Sequence, residues 1–571
     1  MVPMRDGVRL ATDIYFPIGA GDKLPVILMR TPYDKRAGFT VTDALMFAGQ
    51  GYVAVAQDVR GKYESEGEYI VSAADSKDGY DAVSWAATQP WSSGKVGRYG
   101  CSYLGENQIE EAKERNPYLA AMVPKAAGGA SLPTGLLNWG GAFELASGFP
   151  WFRERASKVR YHAPAGTPRR TLVQMSRYIN PEPVVPDIDY RAAFKTLPLI
   201  DMMKIVGGPP TDFEDWVSHG PGDPWWEPFG YVTATHRFDV PALHVDSWYE
   251  VVVAQTLFHF NLFRTNVEST RGRDHQYVII SPTTHCASEG TTERTVVGSR
   301  DLGDARLDYF GIYLRWFDYW LKGLSNGVLG MPKVQIYVMG RNQWRGESEW
   351  PLARTRYTKY YLHSDGRANT RLGTGTLSTA PPAVEPPDRY TYDPATPVPS
   401  VGGQIYFNPD ILIGAHNQSD VEMRHDVLVY TTPVLAAGVE ITGPLRAVLY
   451  VSSSARDTDF TAKLVDVYPD GTAYNVQEGM IRARYREGLD RRVWMRPGEV
   501  YPVTIDLQVT SNYFGPGHRI RLEVSSSNFP RWDRNLNTGG NNYDERSWVM
   551  AHNTIHHSAR YPSHIVLPIV P

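Results

Sequence analysis

The stretch Val96-Gly97-Arg98-Tyr99-Gly100-Cys101-Ser102-Tyr103-Leu104-Gly105 predicts a strand, a sharp turn that carries a serine, and the start of a helix. A serine exposed on such a strained turn needs small neighbours, and Gly100 supplies the room two positions before Ser102. The spacing is G-x-S-x-x-G, because Leu104 stands where the second glycine of the common pattern would be. We interpret Ser102 as the nucleophile of a nucleophile elbow. The alternative is an ordinary strand-to-helix turn.

The residues on either side of this stretch alternate between strand and helix patterns. Short apolar runs at Pro25–Met29 and Tyr52–Ala56 are typical of strands that are buried on both faces. Helical patterns follow at Val41–Gln50 and Asp78–Gln89. The alternation over residues 1–130 predicts a mostly parallel sheet with helices on both faces.

Three further regions follow this first part of the sheet. Residues 131–234 are rich in Pro, Gly and Trp, which predicts an inserted cap with irregular helices. Strand patterns return at Pro241–Val245 and Gln276–Ile280, so the sheet resumes over residues 235–350. Between residues 351 and 571 the hydrophobic period becomes two, which predicts a C-terminal β-sandwich of the jelly-roll type.

The composition excludes several classes of protein. A chain of 571 residues predicts two or three domains, and 42% hydrophobic with 21% charged residues is typical of a soluble globular protein. A net charge of −4 gives no basic field for nucleic acid or for an anionic membrane. The chain has no apolar run of the length that spans a bilayer, and Met1–Asp6 leads into a strand pattern, so we expect a cytoplasmic protein unless a leader has been removed.

The chain has two cysteines, which exclude a framework of several disulfides and a four-thiolate zinc site. Cys101 precedes Ser102, and Cys286 follows His285. We interpret both cysteines as small buried neighbours that point away from the site, with a catalytic thiol as the alternative. Redox roles are therefore not expected.

A serine nucleophile needs a base and an orienting acid, which follow it at the ends of later strands in this type of fold. Glu250 lies just after the strand pattern that ends at Val245, and His285 lies just after the one that ends at Ile280. His285 is the candidate general base, and Glu250 is the candidate acid that fixes its tautomer. Asp246 is the alternative acid.

At these residues the chain resembles the group of cocaine esterases and α-amino-acid ester hydrolases, which is related to the X-Pro dipeptidyl peptidases. The resemblance covers nearly the whole chain. It rests on the elbow and on these segments: Met4–Asp13, Arg30-Thr31-Pro32-Tyr33, Asp58-Val59-Arg60-Gly61, Ser65-Glu66-Gly67, Trp248-Tyr249-Glu250 and Phe529-Pro530-Arg531-Trp532-Asp533-Arg534-Asn535.

The resemblance implies an α/β-hydrolase domain with a helical cap and a C-terminal jelly roll, which hydrolyses esters or amides through an acyl-enzyme. It also implies that Tyr33 gives its hydroxyl to the oxyanion hole, beside the backbone N–H of Tyr103. The family usually has aspartate where this chain has Glu250. The additional methylene moves the carboxylate by more than ~1 Å, so the surrounding loop must compensate.

A second departure from the family concerns the substrate. Members that act on α-amino esters hold the ammonium group with carboxylates, two of which correspond to Val252 and Val253 here. An ammonium against two valines would be poorly solvated, which disfavours amino-acyl and X-Pro substrates. We predict an apolar or aromatic acyl pocket, with the cap's own core as the alternative role for its residues. The residues predicted to line it are Trp139, Phe143, Trp151, Phe152 and Trp248.

The leading hypothesis is therefore a serine esterase or amidase that acts on a small-molecule acyl ester or amide. The alternatives are acyl transfer to a nucleophile other than water, as in a β-lactam acylase, and a decayed hydrolase that serves as a binding protein. No cofactor or metal is expected, and His556 and His557 are interpreted as structural or solvated residues. The resemblance also implies a possible homo-oligomer.

Overall fold

The computed structural model describes residues 1–19, 21–131, 139–158, 168, 170, 185–406 and 410–571. Parts of the predicted cap, residues 132–138 and most of 159–184, lie outside the described residues. The strands of the first 350 residues are β1 (Val2–Pro3), β2 (Arg9–Leu10), β3 (Thr12–Tyr15), β4 (Leu24–Thr31), β5 (Val53–Asp58), β6 (Ser92–Cys101), β7 (Leu119–Lys125), β8 (Ala242–Tyr249), β9 (Gln276–Thr284), β10 (Val296–Val297), β11 (Arg300–Asp301), β12 (Val334–Val338) and β13 (Gln343–Glu347).

Nine of these strands form the central sheet, in the order β13-β12-β9-β8-β7-β6-β4-β5-β3 within the described part of the chain. The strands from β12 to β5 are all parallel, and β13 and β3 pair antiparallel at the two edges. Because the inner strands are parallel, their carboxyl ends meet at one edge of the sheet. The predicted site residues that follow β4, β6, β8 and β9 are therefore gathered along this edge.

Helices cover both faces of the sheet. Those that flank or connect its strands are α1 (Gly38–Gly49), α2 (Asp75–Ala87), α3 (Tyr103–Ala112), α8 (Val253–Thr265), α9 (Thr270–Asp274) and α10 (Tyr309–Phe317). The other four helices lie in the insertion between β7 and β8. Helices α1 and α10 pack on one face of the sheet, against Ile27 and Met29 of β4. Helices α2, α3 and α8 pack on the other face, against Val26 and Leu28. This two-sided burial explains why the strands lack the alternation of a half-exposed sheet.

The chain between β7 and β8, called here the inserted segment, carries short helices. They are α4 (Leu145–Arg155), α5 (Tyr190–Ala193), α6 (Met202–Ile205) and α7 (Phe213–Ser218). Aromatic rings hold these helices together: Phe213 contacts both Phe149 and Phe152, at centroid distances of 5.4 and 5.9 Å. The segment therefore has a hydrophobic core of its own.

The last part of the chain forms a separate β structure, called here the C-terminal β domain. Its strands are β14 (Arg356–His363), β15 (Thr376–Ser378), β16 (Asp388–Tyr392), β17 (Leu428–Thr431), β18 (Val439–Ser453), β19 (Asp459–Val467), β20 (Ala473–Arg482), β21 (Tyr501–Phe514), β22 (Arg519–Ser525), β23 (Ala551–Ser558), β24 (Tyr561–Pro562) and β25 (His564–Val570). Their pairing is antiparallel except between β15 and β17. The chain is thus an α/β hydrolase with a C-terminal β domain.

Candidate active site

Ser102 occupies the turn between β6 and α3. Its backbone is in a left-handed conformation, with φ 61° and ψ −130°, and its N–H donates to the carbonyl of Lys125 at 2.9 Å. A Cβ at Gly100 would lie 2.4 Å from Cβ of Leu104, and one at Gly105 would lie 2.5 Å from the carbonyl oxygen of Lys125. The second glycine is therefore needed where α3 packs on the end of β7, one position later than in the common pattern.

Glu250 and His285 lie side by side at the ends of β8 and β9. The Nδ1 atom of His285 is 2.6 Å from Oε2 of Glu250, and Oε1 of Glu250 accepts a hydrogen bond from the N–H of Val251 at 3.0 Å. The glutamate is fully buried, whereas 12% of the His285 side chain is exposed. Both carboxylate oxygens are thus held in place, which fixes the plane of the imidazole ring.

Asp246, the alternative acid, is buried within β8. Its Oδ1 accepts from the N–H of Ser247 at 2.8 Å, and burial together with the charge of Glu250 raises its pKa well above the usual range. It makes no hydrogen bond to His285 among the residues that the structure describes. The carboxylate beside the imidazole is therefore that of Glu250.

Tyr33, which follows β4, reaches the same place. Its hydroxyl interacts with the side chain of Ser102, and its oxygen accepts a hydrogen bond from Nε1 of Trp151 at 3.0 Å. Burial raises the pKa of Tyr33 to about 12, so the phenol keeps its proton at neutral pH. Because Trp151 donates to the oxygen, the phenol proton itself is available for another acceptor.

Tyr103 is the first residue of α3, so its N–H has no acceptor within the helix. Its side chain points away into the protein, where the hydroxyl donates to Oδ2 of Asp75 at 2.5 Å and accepts from the N–H of Ser72 at 3.0 Å. The ring of Trp151 lies parallel to the Tyr103 ring, with centroids 6.4 Å apart. The residue after the serine is thus anchored by its ring and hydroxyl.

Of the five aromatic residues predicted to line a pocket, the structure brings Trp151 to the site and places the other four elsewhere. Phe143 and Phe152 are 1% and 0% exposed within the core of the inserted segment. Trp139 packs against Met480 and Trp532 of the C-terminal β domain.

Trp248 is fully buried and donates from Nε1 to the carbonyl of Tyr337 at 2.7 Å. It belongs to β8, all of whose residues are buried and whose register against β9 shifts between Ser247 and Tyr249. Phe143 and Phe152 thus lie in the core of the inserted segment, which is the alternative role considered for this set, whereas Trp139 and Trp248 pack against other parts of the protein.

The C-terminal β domain contributes residues to the site, and the sequence does not reveal this contribution. The ring of Tyr406 lies against the imidazole of His285, with centroids 4.3 Å apart. Nε2 of Gln508 donates to the carbonyl of Val251 at 2.8 Å, and the hydroxyl of Tyr249 donates to the carbonyl of Asn475 at 2.9 Å. The residues on both sides of Glu250 are therefore braced by a domain that begins a hundred residues later.

Glu106, four positions after Ser102, is a second residue that sequence reasoning missed. It is 7% exposed, and a Cβ at Gly129 would lie 2.2 Å from its Oε1, so the absence of a side chain at Gly129 makes room for the carboxyl group. Burial, reinforced by the charges of Glu250 and Asp75, raises the pKa of Glu106 to about 8. The group is therefore mostly protonated at neutral pH. Its position in the first turn of α3 was the signal available in the sequence.

The expectation for the two cysteines is wrong. Cys101 and Cys286 form a disulfide, with Cα atoms 6.0 Å apart and 185 residues between them in sequence. Cys286 is exposed and Cys101 is partly buried. The sequence hid this pairing because the two residues become neighbours only when the turns after β6 and β9 meet at the edge of the sheet.

The two adjacent histidines, His556 and His557, lie on β23 far from Ser102. Nε2 of His557 is 2.8 Å from Oδ2 of Asp388, and the residue is fully buried. Among the described residues no group of three or more His, Cys, Asp or Glu side chains is arranged to hold a metal ion. His557 therefore has a place in the polar core of the C-terminal β domain.

Comparison with known proteins assigns the family. Residues 6–287 match the model of the X-Pro dipeptidyl-peptidase (S15 family), and residues 326–566 match the X-Pro dipeptidyl-peptidase C-terminal non-catalytic domain. The chain is 39% identical over 583 aligned positions to the cocaine esterase of Rhodococcus sp. (strain MB1 Bresler), covering 100% of this chain and 98% of that protein. The chain belongs to the S15 family.

Solved structures agree with this membership of the S15 family. An α-amino acid ester hydrolase labelled with selenomethionine has a TM-score of 0.81 and 26% identity, covering 100% of this chain and 95% of that one. An aminopeptidase from the marine sediment archaeon Thaumarchaeota archaeon has a TM-score of 0.78 and 25% identity, covering 100% and 96%. This S15 protein is accordingly an enzyme, a serine hydrolase that acts on ester or amide bonds.

None of the described helices is long and apolar enough to cross a membrane.

Proposed function

We propose that this protein cleaves small-molecule acyl esters or amides through an acyl-enzyme formed on Ser102. The observation that carries the proposal is the Glu250–His285 contact of 2.6 Å at the same strand ends as the Ser102 turn and the Tyr33 hydroxyl. Oγ of Ser102 attacks the substrate carbonyl, and Nε2 of His285 takes the serine proton. His285 then returns this proton to the leaving group. Water activated by the same histidine releases the acyl group.

Glu250 has the role of orienting acid in this proposal. A hydrogen bond from Nδ1–H of His285 to the carboxylate leaves Nε2 unprotonated and available to accept a proton. The buried carboxylate also stabilises the imidazolium that forms during acylation. Glutamate replaces the usual aspartate without loss of this geometry, because the N–H of Val251 and the brace from Gln508 hold its longer side chain.

The oxyanion is held by two donors, the hydroxyl of Tyr33 and the N–H of Tyr103. Support comes from the hydrogen bond of Trp151 to the Tyr33 oxygen, which leaves the phenol proton for the developing charge. Preorganised donors of this kind are worth about 3–4 kcal/mol each in the transition state.

The proposal extends to the architecture. The inserted segment acts as a cap over the site, because α4 carries Trp151 to Tyr33. The strands from β14 through β25 pair with one another mostly in antiparallel fashion, which supports a jelly roll. We place the domain limits at residues 1–130, 131–234, 235–350 and 351–571.

The substrate class follows from the charges near the site. Val252 and Val253, which follow Glu250, are uncharged and fully buried. These two residues therefore offer no counterion to an ammonium group on the acyl part. We propose an uncharged acyl group, so the phenylacetyl ester should be hydrolysed better than the matching phenylglycyl ester.

The test of this function is pre-steady-state hydrolysis of p-nitrophenyl acyl esters, combined with labelling by a fluorophosphonate probe. The expected result is a burst of p-nitrophenol and labelling of the wild type, with both lost in Ser102→Ala. Absence of both burst and labelling in the folded wild type would overturn the proposal and favour a binding protein that has lost the reaction. Added amines or alcohols that raise the rate of acyl release would indicate acyl transfer.

A further inference from the structure

The disulfide between Cys101 and Cys286 joins the residue before the candidate nucleophile to the residue after the candidate base. These are the two cysteines of the chain. The bond is therefore one residue away from Ser102 on one side and one residue away from His285 on the other. A change in this bond acts on both reacting side chains at once.

The bond spans a gap that the sheet itself leaves open. Strands β6 and β9 are separated by β7 and β8, so three strand spacings of about 4.8 Å place their axes about 14 Å apart. The Cα atoms of Cys101 and Cys286 are nevertheless 6.0 Å apart. Cys101 stays in register with Lys125 of β7, so the segment after β9 reaches back toward the end of β6, and the disulfide is the covalent link between the two.

The backbone on both sides of the bond is in unusual conformations. Ser102 has φ 61° and Cys286 has φ 53°, both in the left-handed region that L residues rarely adopt. Within the part of the chain that the structure describes, no hydrogen bond joins Oγ of Ser102 to the ring of His285. The spacing of the two side chains is therefore set by the turns that carry them.

We propose that Cys101 and Cys286 are positioning residues for the reaction, and that reduction of their disulfide by a dithiol reversibly lowers turnover. This inference rests on the proposed function. A reaction that needs near-attack geometry loses about 100-fold in rate when its groups are displaced by roughly 1 Å. Release of the two turns separates Ser102 from His285 by a movement of this size. Substrate binding, which depends on other residues, is unaffected.

The exposed position of Cys286 makes the bond accessible to a reductant. A thiolate of the dithiol attacks Sγ of Cys286, the Cys101–Cys286 bond breaks, and Sγ of Cys101 leaves with the electron pair and takes a proton. The second thiolate of the dithiol then attacks the mixed disulfide and closes a cyclic disulfide. This step releases Cys286, which also takes a proton. Two electrons and two protons pass from the dithiol to the protein.

The test compares the wild type before and after treatment with dithiothreitol, using burst kinetics with a p-nitrophenyl ester. Thiol titration of the folded protein should rise from zero to two groups per chain. We expect the burst rate and kcat to fall about 100-fold while KM and the burst amplitude stay constant. Reoxidation should restore the rate.

The double variant Cys101→Ser/Cys286→Ser is the matched control, because it has no thiol left to react. It should have the kcat of the reduced wild type and no response to dithiothreitol. An unchanged kcat in the reduced wild type would overturn the proposal. A fall in burst amplitude together with a change in tryptophan fluorescence would also overturn it, because the bond would then act by keeping the domain folded.

The two proposals fail in different ways. If the oxidised wild type shows neither burst nor fluorophosphonate labelling, the proposed function fails. If the oxidised wild type shows both and reduction changes neither, only the inference about the disulfide fails.

Discussion

The Nδ1 atom of His285 lies 2.6 Å from Oε2 of Glu250, at a position where the resemblance described above implies an aspartate. The glutamate is fully buried, and its second oxygen is bonded to the N–H of Val251. The longer side chain is thus accommodated by the loop after β8, which Gln508 braces from the C-terminal β domain. Among the described residues, Glu250 is the carboxylate partner of the histidine, and no hydrogen bond to its Nε2 is found.

We expect Glu250→Gln to lower kcat by about 10⁴-fold with little change in KM. The amide cannot hold the Nδ1–H tautomer or balance the imidazolium. Asp246→Asn is the matched control, because it alters a neighbouring buried acid that makes no described bond to His285, and we expect it to leave kcat within about threefold. Steady-state kinetics with a p-nitrophenyl ester measures both. A loss confined to Asp246→Asn would assign the orienting role to Asp246.

Tyr33→Phe should lower kcat roughly 100- to 1,000-fold, because it removes one of two proposed oxyanion donors. KM should change little, because the donor acts on charge that develops after binding. Trp151→Phe should give a smaller loss, since the hydroxyl of Tyr33 remains but its oxygen loses the N–H that orients it. A larger effect of Trp151→Phe than of Tyr33→Phe, measured as kcat, would contradict this order.

The stability of the protein should depend on Glu106 in a specific pH range. Its pKa is raised from 4.5 to about 8 in the folded state, so the folded protein holds a proton that the unfolded chain has lost between these values. Wild-type stability therefore falls as the pH rises from about 5 to about 8, by up to about 1.4 kcal/mol per pH unit from this group.

Glu106→Gln removes this penalty. The Tm of Glu106→Gln should therefore rise relative to the Tm of the wild type as the pH increases. The difference between the two should be small at pH 5 and clearly larger at pH 8. Differential scanning calorimetry at both values measures the change. The exposed Glu227→Gln in the inserted segment is the control, for which the difference should stay constant. A constant difference for Glu106→Gln as well would show that the group is charged when folded.

Arg531 should contribute strongly to the attachment of the inserted segment. Its guanidinium is fully buried, pairs with Glu478, and lies 3.6 Å from Oε2 of Glu144 just before α4. Arg531→Gln removes the cation beside Glu144 and leaves Glu478 with Lys463, at 3.8 Å, as its described cation, which should cost about 3–5 kcal/mol of unfolding free energy. Arg546→Gln, at an exposed pair with Asp201, should cost less than ~1 kcal/mol. Urea denaturation compares the two, and equal losses would show that Arg531 is replaceable.

The residues of the candidate site could be predicted where local order determines their place. The parallel sheet fixes the strand ends, so the turns that carry Ser102, Glu250 and His285 could be placed from short apolar runs and their flanking residues. Contacts between segments that are distant in the sequence could not be predicted. Nothing near His285 in sequence indicates that the ring of Tyr406 covers it, or that the neighbouring cysteine is paired with Cys101.

Two further features depended on geometry that the sequence does not display. All residues of β8, Trp248 included, are buried, so a position near the strand end did not distinguish a pocket residue from a core residue. Phe143 and Phe152 are aromatic in the right region, but an inserted segment of this size needs a core of its own, and burial of large rings is the main source of its stability. Trp151 differs from them because its Nε1–H donates a hydrogen bond to the hydroxyl oxygen of Tyr33.

The contact of Tyr406 with His285 has a consequence for biosynthesis. The ribosome completes the whole α/β sheet before Tyr406 is added, and Arg531, which ties the inserted segment to the last domain, follows still later. A nascent polypeptide can therefore fold the turns of Ser102 and His285 while one wall of the candidate site is missing. That wall is added only when the C-terminal β domain has been synthesised and has folded against His285.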